Sequence, residues 1–346
     1  MAKILIIRFS ALGDVAMTIP LLYSFAKSHP NDQICFLSRR SFQPFFFILP
    51  LNMRYLKADL SGKHKGLAGL ATLYDKLAEE KFDYVIDLHS VLRSKYLTFR
   101  FKISAVKTAT IDKGRKEKKA LTRQKDKVFV QLKSSFDRYY EPFEKLGLGF
   151  SPDFKSVYLQ NPTNVEELSS LTEPKGSEKW IGIAPFAKHM GKVYPEILMT
   201  KVVETLSLDP RYKVFIFGGG PDEQAAVNGW IKKYPTIISA ISKLTIDQQL
   251  LLMSQLDVMV SMDSGNMHLA SLVGTPVISV WGATHPYAGF LGWNQSESNI
   301  IQIELPCRPC SVFGDKPCFR KDYACMYQIK PETIIQKIEE NLSGSR

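Results

Sequence analysis

The sequence predicts an α/β protein of two domains, each built on a mainly parallel sheet, and three observations carry that prediction. Short apolar runs alternate with amphipathic segments through the first 150 residues, the same alternation restarts near residue 180, and a polar stretch separates the two series. With 346 residues and 45% hydrophobic content, the chain is long enough for each series to bury its own core. Strands alternating with helices imply right-handed crossovers and sheets covered on both faces.

The first series opens with "KILIIRF", an uninterrupted apolar run suited to a strand buried on both faces. A helix to about Ser28 follows, in which Pro20 either opens the helix or kinks it. Then come the strand "QICFLS", a helical patch near "FQPFFF", the strand "MRYLKA", a helix over 66–80 and the strand "DYVIDLH". Cys35 sits inside "QICFLS" as a buried strand residue and needs no further role. A helix near 131–146 stops at Gly147, and "QNPTNVEELSSLTEPKGSEK", 160–179, reads as the linker. The second series runs "WIGIAP", a helix around 196–207, "KVFIFGGG", a helix from about Asp222, "TIISA", a helix around 246–255, "DVMVSM", a helix from about Ser264, and "PVISVW". The expected divisions are residues 1–165, residues 175–328, and a last helix in 329–346 that the pattern alone assigns to neither domain.

No apolar run approaches the ~18 to 20 residues needed to cross a bilayer, and the chain enters "KILII" without a basic segment, long apolar core and cleavage site, so a cytoplasmic protein is expected. The formal charge of +11 favours a polyanionic partner: nucleic acid, an anionic membrane face or a phosphorylated substrate. Much of the excess lies in "IDKGRKEKKALTRQKDK", 111–127, which has no apolar face and reads as a solvated loop or helix, or as a phosphate-facing loop. Nucleic-acid binding is disfavoured, because no aromatic residue interleaves with these cations before Phe129.

Ligands of open parallel sheets bind outside the carboxyl ends of the strands, and "SALGD" follows the first strand there. Asp14 in that loop is either a helix cap or a functional carboxylate beside a small-residue loop that admits a ligand. The missing G-x-G-x-x-G argues against a nicotinamide or flavin cofactor. In the second series three loops at strand ends suit a nucleotide diphosphate: "APFAKHMGKVYP" with Lys188 and Lys192, "FGGGPDE" with Glu223, and "SMDSGNMHLA" with Asp263, Ser264, Gly265 and His268. Small-residue turns feeding helix N-termini offer amides to phosphate oxygens, a lysine neutralises them, and a carboxylate such as Glu223 can take both ribose hydroxyls. His268 is either a structural histidine or a donor to phosphate. Cys307, Cys310, Cys318 and Cys325 fit a structural zinc site, disulfides being disfavoured in a reducing compartment, or are simply buried thiols.

Five stretches together carry a family resemblance: "ILIIRFSALGDVAMTIPLL", "DLHSVLRS" at 87–94, "KVYP" at 192–195, "FGGGPDE", and "SMDSGNMHLASLVGTPVISVWGAT". They resemble the lipopolysaccharide heptosyltransferases, glycosyltransferase family 9. The resemblance implies the GT-B architecture, two Rossmann-like domains facing a central cleft, with a C-terminal helix returning to the first domain. It implies inverting transfer of a heptose from ADP-heptose to a hydroxyl of the Kdo/lipid A inner core, or, as the alternative, use of another nucleotide sugar for core or surface polysaccharide. Asp14 is then the general base, with Gly13 in the small loop that admits the acceptor. No cofactor is implied for catalysis, and no Asp-x-Asp metal pattern is evident; Lys192, Lys188 and the helix start at Ser264 and Gly265 would compensate the leaving diphosphate. Glu223 matches the residue implied to hold the ribose, Asp263 the one holding donor sugar or phosphate, and His268 the histidine of the same helix. On the acceptor side Arg93 and Ser94 match the first-domain "RS", and Lys113, Arg115 and Lys116 would meet acid sugars and lipid phosphates. Such a basic surface is expected to associate peripherally with the anionic inner-membrane leaflet. Tyr194 departs from the family, which has tryptophan in "K-x-W-P".

Overall fold

The computed structural model describes residues 1–46, 50–158 and 164–344. The chain divides into two compact units, one made of residues 1–115 and 133–154, the other of 116–132 and 155–346.

In the first unit β1 (Lys3–Ile7), α1 (Leu12–Ala16), α2 (Ile19–Ser28), β2 (Gln33–Arg39), β3 (Met53–Ala58), α3 (Gly66–Ala78), β4 (Tyr84–Asp87), α4 (Leu92–Ile103) and β5 (Lys107–Thr110) follow in order. Next, α5 (Arg115–Leu121) leads out of this unit and α6 (Ser135–Lys145) returns to it. All five strands are parallel, in the order β3-β2-β1-β4-β5. Ile4 through Ile7 are fully buried, as an apolar run with no polar alternation requires of a strand covered on both faces. Leu5 and Ile7 join Leu70, Leu73 and Leu77 of α3 and Leu97 and Phe101 of α4 in one core. Pro20 opens α2 rather than kinking a longer helix, since α1 has already ended. The helix expected near 131–146 starts at Ser135 because Ser134 caps it: its hydroxyl accepts from the Asp137 amide (3.0 Å) and the Asp137 carboxylate accepts from the Ser134 amide (3.2 Å).

The second unit holds β6 (Lys179–Ala184), α7 (Glu196–Ser207), β7 (Tyr212–Ile216), α8 (Pro221–Lys233), β8 (Ile238–Ser239), α9 (Ile246–Gln255), β9 (Val258–Met262), α10 (Gly265–Leu272), β10 (Val277–Val280), β11 (Ile300–Ile301), α11 (Ala324–Tyr327) and α12 (Pro331–Ser343). Its strands are parallel in the order β11-β10-β9-β6-β7-β8. No helix among the described residues is long and apolar enough to cross a membrane.

Three expectations are corrected. The last helix does not return to the first unit: α12 packs on α7, and its Ile334 and Ile338 lie in the core of the second sheet. The Tyr194 hydroxyl reinforces this by donating to the Ile329 carbonyl at 2.8 Å. The supposed linker is partly packed, because Val165–Leu168 forms a 3₁₀ turn against α9 with Leu168 buried; its residues 160–163 lie outside the described ones. The basic run is not a solvated segment throughout, since α5 buries Leu121 beside Leu132 and Ala288 and sets Lys118 over the Phe290 ring, 4.1 Å from its centroid.

All four tryptophans, Trp180, Trp230, Trp281 and Trp293, belong to the second unit, so their fluorescence reports on it alone. Ile338→Ala is expected to destabilise that unit by about 2–5 kcal/mol, the usual cost of emptying a core site. An earlier urea midpoint by tryptophan fluorescence checks it, with exposed Leu208→Ala unchanged as control.

Candidate active site

Each sheet reverses its strand order once, between β1 and β4 in the first and between β6 and β9 in the second. At such a switch point the flanking loops part and leave a crevice at the carboxyl ends of the strands. Both crevices carry an acid–base ion pair.

In the first unit Arg8 follows β1 directly, and its buried guanidinium reaches back to Asp14 in α1, Nη2 to Oδ1 at 2.8 Å. Nη1 of Arg8 donates to the Leu88 carbonyl at 2.5 Å, which fixes the fork. The other Asp14 oxygen, Oδ2, accepts from the Ala11 amide at 3.1 Å, and the Tyr139 hydroxyl lies 3.4 Å from Oδ1. Asp14 is thus both a cap and an oriented carboxylate, and with 32% of its side chain exposed it keeps a face open to a ligand. Gly13 beside it in α1 is half-buried.

The loop after β4 supports this arrangement. Asp87 is fully buried; its Oδ1 accepts from the amides of His89 and Ser90, both at 2.8 Å, and its Oδ2 accepts from Ser94 Oγ at 2.9 Å. His89 Nδ1 accepts from the Phe9 amide at 3.3 Å, leaving Nε2, 3.4 Å from Ser10 Oγ, to carry the proton. Burial, then the nearby Arg8 and Lys113 charges, push the His89 pKa down to about 3, so the ring is neutral and braces the Ser10 loop. Ser94 is corrected as an acceptor contact: it is completely buried, and its hydroxyl serves Asp87 and accepts from the Val91 amide at 3.1 Å. Arg93 is exposed at the start of α4. Arg115 donates to the Ser90 carbonyl at 3.2 Å, and Lys113, half-buried, shares the electrostatic field of Arg8, Asp14 and Arg115. Lys116 is exposed and belongs to the second unit.

In the second unit Lys192, in the loop after β6, pairs with the buried Asp263 after β9, Nζ to Oδ2 at 2.9 Å. The contact is an ion pair rather than an aligned hydrogen bond, since Oδ2 accepts none. Gly314, at φ +75°, lies against the lysine stem; a Cβ there would stand 2.6 Å from Lys192 Cγ. After β7 the Glu223 carboxylate accepts from the Gly219 amide at 2.6 Å, and a Cβ on Gly218 would stand 2.5 Å from its Oε2. Ser264 is the N-cap of α10 with no side-chain bond to that helix, so its first amides, from Gly265 on, stay available to an anion. His268 is buried one turn further along α10, while Lys188 is exposed.

The zinc expectation is corrected. Cys307, Cys310, Cys318 and Cys325 line one small cavity as free thiols, yet among the described residues no three His, Cys, Asp or Glu side chains are arranged to hold a metal ion. Cations organise this segment instead. Lys127 Nζ sits within hydrogen-bond distance of the carbonyls of Pro306 (3.3 Å), Cys307 (2.9 Å), Arg308 (2.7 Å) and Pro309 (3.0 Å), which its three N–H groups share. The buried Arg308 donates to the carbonyls of Trp281, Gly282, Ile303 and Thr284. Burial pushes the Cys325 thiol up to about 11 and also raises that of Cys310, which keeps both protonated at neutral pH.

Arg8, Tyr139, Asp87, His89 and Gly314 went unrecognised as site residues in the sequence. Arg8 alone left a signal, a cation directly after a strand buried on both faces.

The model of glycosyltransferase family 9 (heptosyltransferase) matches residues 70–318. The chain is 24% identical over 334 residues to lipooligosaccharide heptosyltransferase 2 of Campylobacter jejuni subsp. jejuni serotype O:6, covering 95% of this chain and 96% of the relative. Its fold is similar to that of a family 9 glycosyl transferase from Veillonella parvula DSM 2008 (TM-score 0.73, 20% identity, 99% and 98% of the two chains). It is also similar to that of the E. coli heptosyltransferase WaaC, solved with ADP and with ADP-2-deoxy-2-fluoro heptose (TM-score 0.67, 18% identity, 98% and 99%).

Burial first and then Arg8 bring the Lys113 pKa down to about 8 from 10.5, so the folded chain holds this proton less tightly than the unfolded one. Stability from this group therefore rises with pH between about 8 and 10.5 and is absent below. Lys113→Met should be more stable than the parent at pH 7, with the advantage shrinking as pH passes 8; paired thermal melts across pH 6–10 check this.

Proposed function

The chain belongs to glycosyltransferase family 9, the heptosyltransferases, and from that premise we propose that it moves a heptose from ADP-heptose to a hydroxyl of the Kdo/lipid A inner core of lipopolysaccharide, with inversion and with Asp14 as general base. Such a reaction assigns it to lipopolysaccharide biosynthesis in the cytoplasm, at the inner-membrane face. The observation that carries the base assignment is the Asp14 carboxylate, clamped by Arg8 and the Ala11 amide yet partly exposed at a switch point. Asp14 lies outside the span that the family model matches, so its role is argued from this geometry.

In the proposed step the acceptor hydroxyl gives its proton to Asp14 while its oxygen bonds to the anomeric carbon of the donor. The bond from that carbon to the phosphate oxygen breaks on the opposite face, and ADP leaves with the electron pair. Asp14 is a weak base towards a free alcohol, so its help grows as the hydroxyl loses its proton in the transition state. Arg8 fixes the direction of the carboxylate through their ion pair. The leaving diphosphate is compensated without a required metal, by Lys192 and the amides at the start of α10, with Ser264 and Gly265 as contacts and Lys188 as an outer cation. Asp263 holds Lys192 against the phosphates, Glu223 takes the ribose hydroxyls, and His268 donates from α10. The acceptor's acidic sugars meet Lys113, Arg115, Arg93 and Lys116, with Gly13 giving them room near Asp14. Supporting the donor choice, the similar WaaC has been solved with ADP and with an ADP-heptose analogue.

Transfer is tested by mass spectrometry with ADP-heptose and Kdo-lipid A. Asp14→Asn should lower kcat by ~10²–10⁴-fold with donor affinity unchanged. Wild type that binds ADP-heptose but transfers nothing to this acceptor would overturn the acceptor; failure to bind it would overturn the donor. Lys192→Met should lower kcat by roughly 10²–10³-fold, as loss of one transition-state donor does, and should weaken ADP binding. A variant with wild-type kcat would remove Lys192 from the mechanism.

A further inference from the structure

Helix α4 covers the first sheet with one face and has an unusual opposite face. Ser94, Leu97, Thr98 and Phe101 are buried. At ~100° per residue, Leu92, Tyr96, Phe99 and Ile103 line up within roughly 60° on the outer side. Three of them are far more open than side chains of their kind usually are: Leu92 is 89% exposed, Phe99 62% and Ile103 67%. Arg93 and Arg100 border this stripe on one flank and Lys95 and Lys102 on the other, and the helix contains no acidic residue. Arg100 is engaged locally, donating to Tyr96 Oη at 2.9 Å and lying over the Tyr74 ring at 4.2 Å. Arg100 also pairs with Asp75, Nη2 to Oδ1 at 3.8 Å, whereas among the described residues Arg93, Lys95 and Lys102 form no ion pair.

A continuous apolar stripe with cations on both flanks matches the chemistry of an anionic bilayer surface, where apolar side chains enter the acyl boundary and cations meet phosphates. A protein partner would find the same stripe apolar, but the cations on both flanks, Arg93 on one and Lys95 and Lys102 on the other being unpaired, would have to be met by acidic groups on both sides. We propose that the outer face of α4 docks the protein on a membrane rich in anionic phospholipid, with Leu92, Phe99 and Ile103 inserted and Lys95 and Lys102 against headgroups. The stripe runs ~16 Å from the end of the helix that adjoins the Asp87–Ser90 loop. Docking would therefore set the lipid surface beside the crevice that holds Asp14. The inference rests on the transferase reading only for its purpose, delivery of a lipid-borne acceptor.

The test is flotation of the full chain with vesicles of phosphatidylethanolamine and phosphatidylglycerol, against vesicles of phosphatidylcholine alone. Wild type should bind the anionic vesicles, more weakly as salt rises, and leave the neutral ones unbound. Phe99→Ser/Ile103→Ser and Lys95→Glu/Lys102→Glu should each lower the partition coefficient at least tenfold, with ADP affinity unchanged as evidence of an intact fold. Transfer to a deacylated, water-soluble acceptor should be equal in all three proteins. Variants that float like wild type, or a wild type that ignores anionic vesicles at low salt, would overturn the proposal. So would concentration-dependent dimerisation abolished by Phe99→Ser/Ile103→Ser without any vesicle effect, which would give the face to a second copy. Vesicle binding that behaves as expected while no form transfers sugar would sink the transferase reading and leave the docking surface standing.

Discussion

Parallel pairing of β1 with both β2 and β4 decides where the chemistry of the first unit can stand. Every connection must cross back over the sheet, so every strand delivers its following loop to one edge, and only where the order reverses do neighbouring loops diverge. Arg8, Asp14, Asp87 and His89 all come from the ends of β1 and β4 and the segments that follow them at that point. The second sheet repeats the solution independently, with Lys192 and Asp263 on the loops after β6 and β9. Topology therefore supplies two prepared edges before any particular side chain is chosen.

The side chains then solve an electrostatic problem. The first edge gathers Arg8, Lys113 and Arg115 around a single partly open carboxylate, and the imidazole within the cluster answers by staying neutral. A protonated His89 would add a charge in a buried place already rich in cations. As a neutral ring it can accept from the Phe9 amide and still face Ser10, so it holds the loop without competing for Asp14. The result is an edge with a net positive field, suited to anionic sugars, around one group able to take a proton.

Most of the fold was legible in the sequence because apolar runs buried on both faces leave little ambiguity: "KILII" and "DVMVSM" are β1 and β9 almost as read. Boundaries moved where a local cap intervened, as at Ser134. The two larger surprises came from interactions distant in sequence. Tyr139 reaches Asp14 across 125 residues, and Gly314 supports Lys192 from a segment whose cysteines drew attention to metal chemistry. Neither has a spacing that could announce it. Ser94 shows the opposite failure: a motif residue beside a crevice was read as a ligand contact, whereas its hydroxyl is consumed by Asp87.

The division of the chain has a consequence for how the molecule is made. The backbone passes between units three times, at 115/116, 132/133 and 154/155, because residues 116–132 are lent to the second unit. A fragment ending near residue 154 would carry that excursion without its surroundings, leaving Leu121 and Leu132 without Ala288. During synthesis the amino-terminal half thus emerges with an unfinished loop and must wait for chain made more than 130 residues later. The protein has two cores but is not a tandem of separable modules, and dissecting it at the apparent boundary would cut through structure that the two halves complete only together.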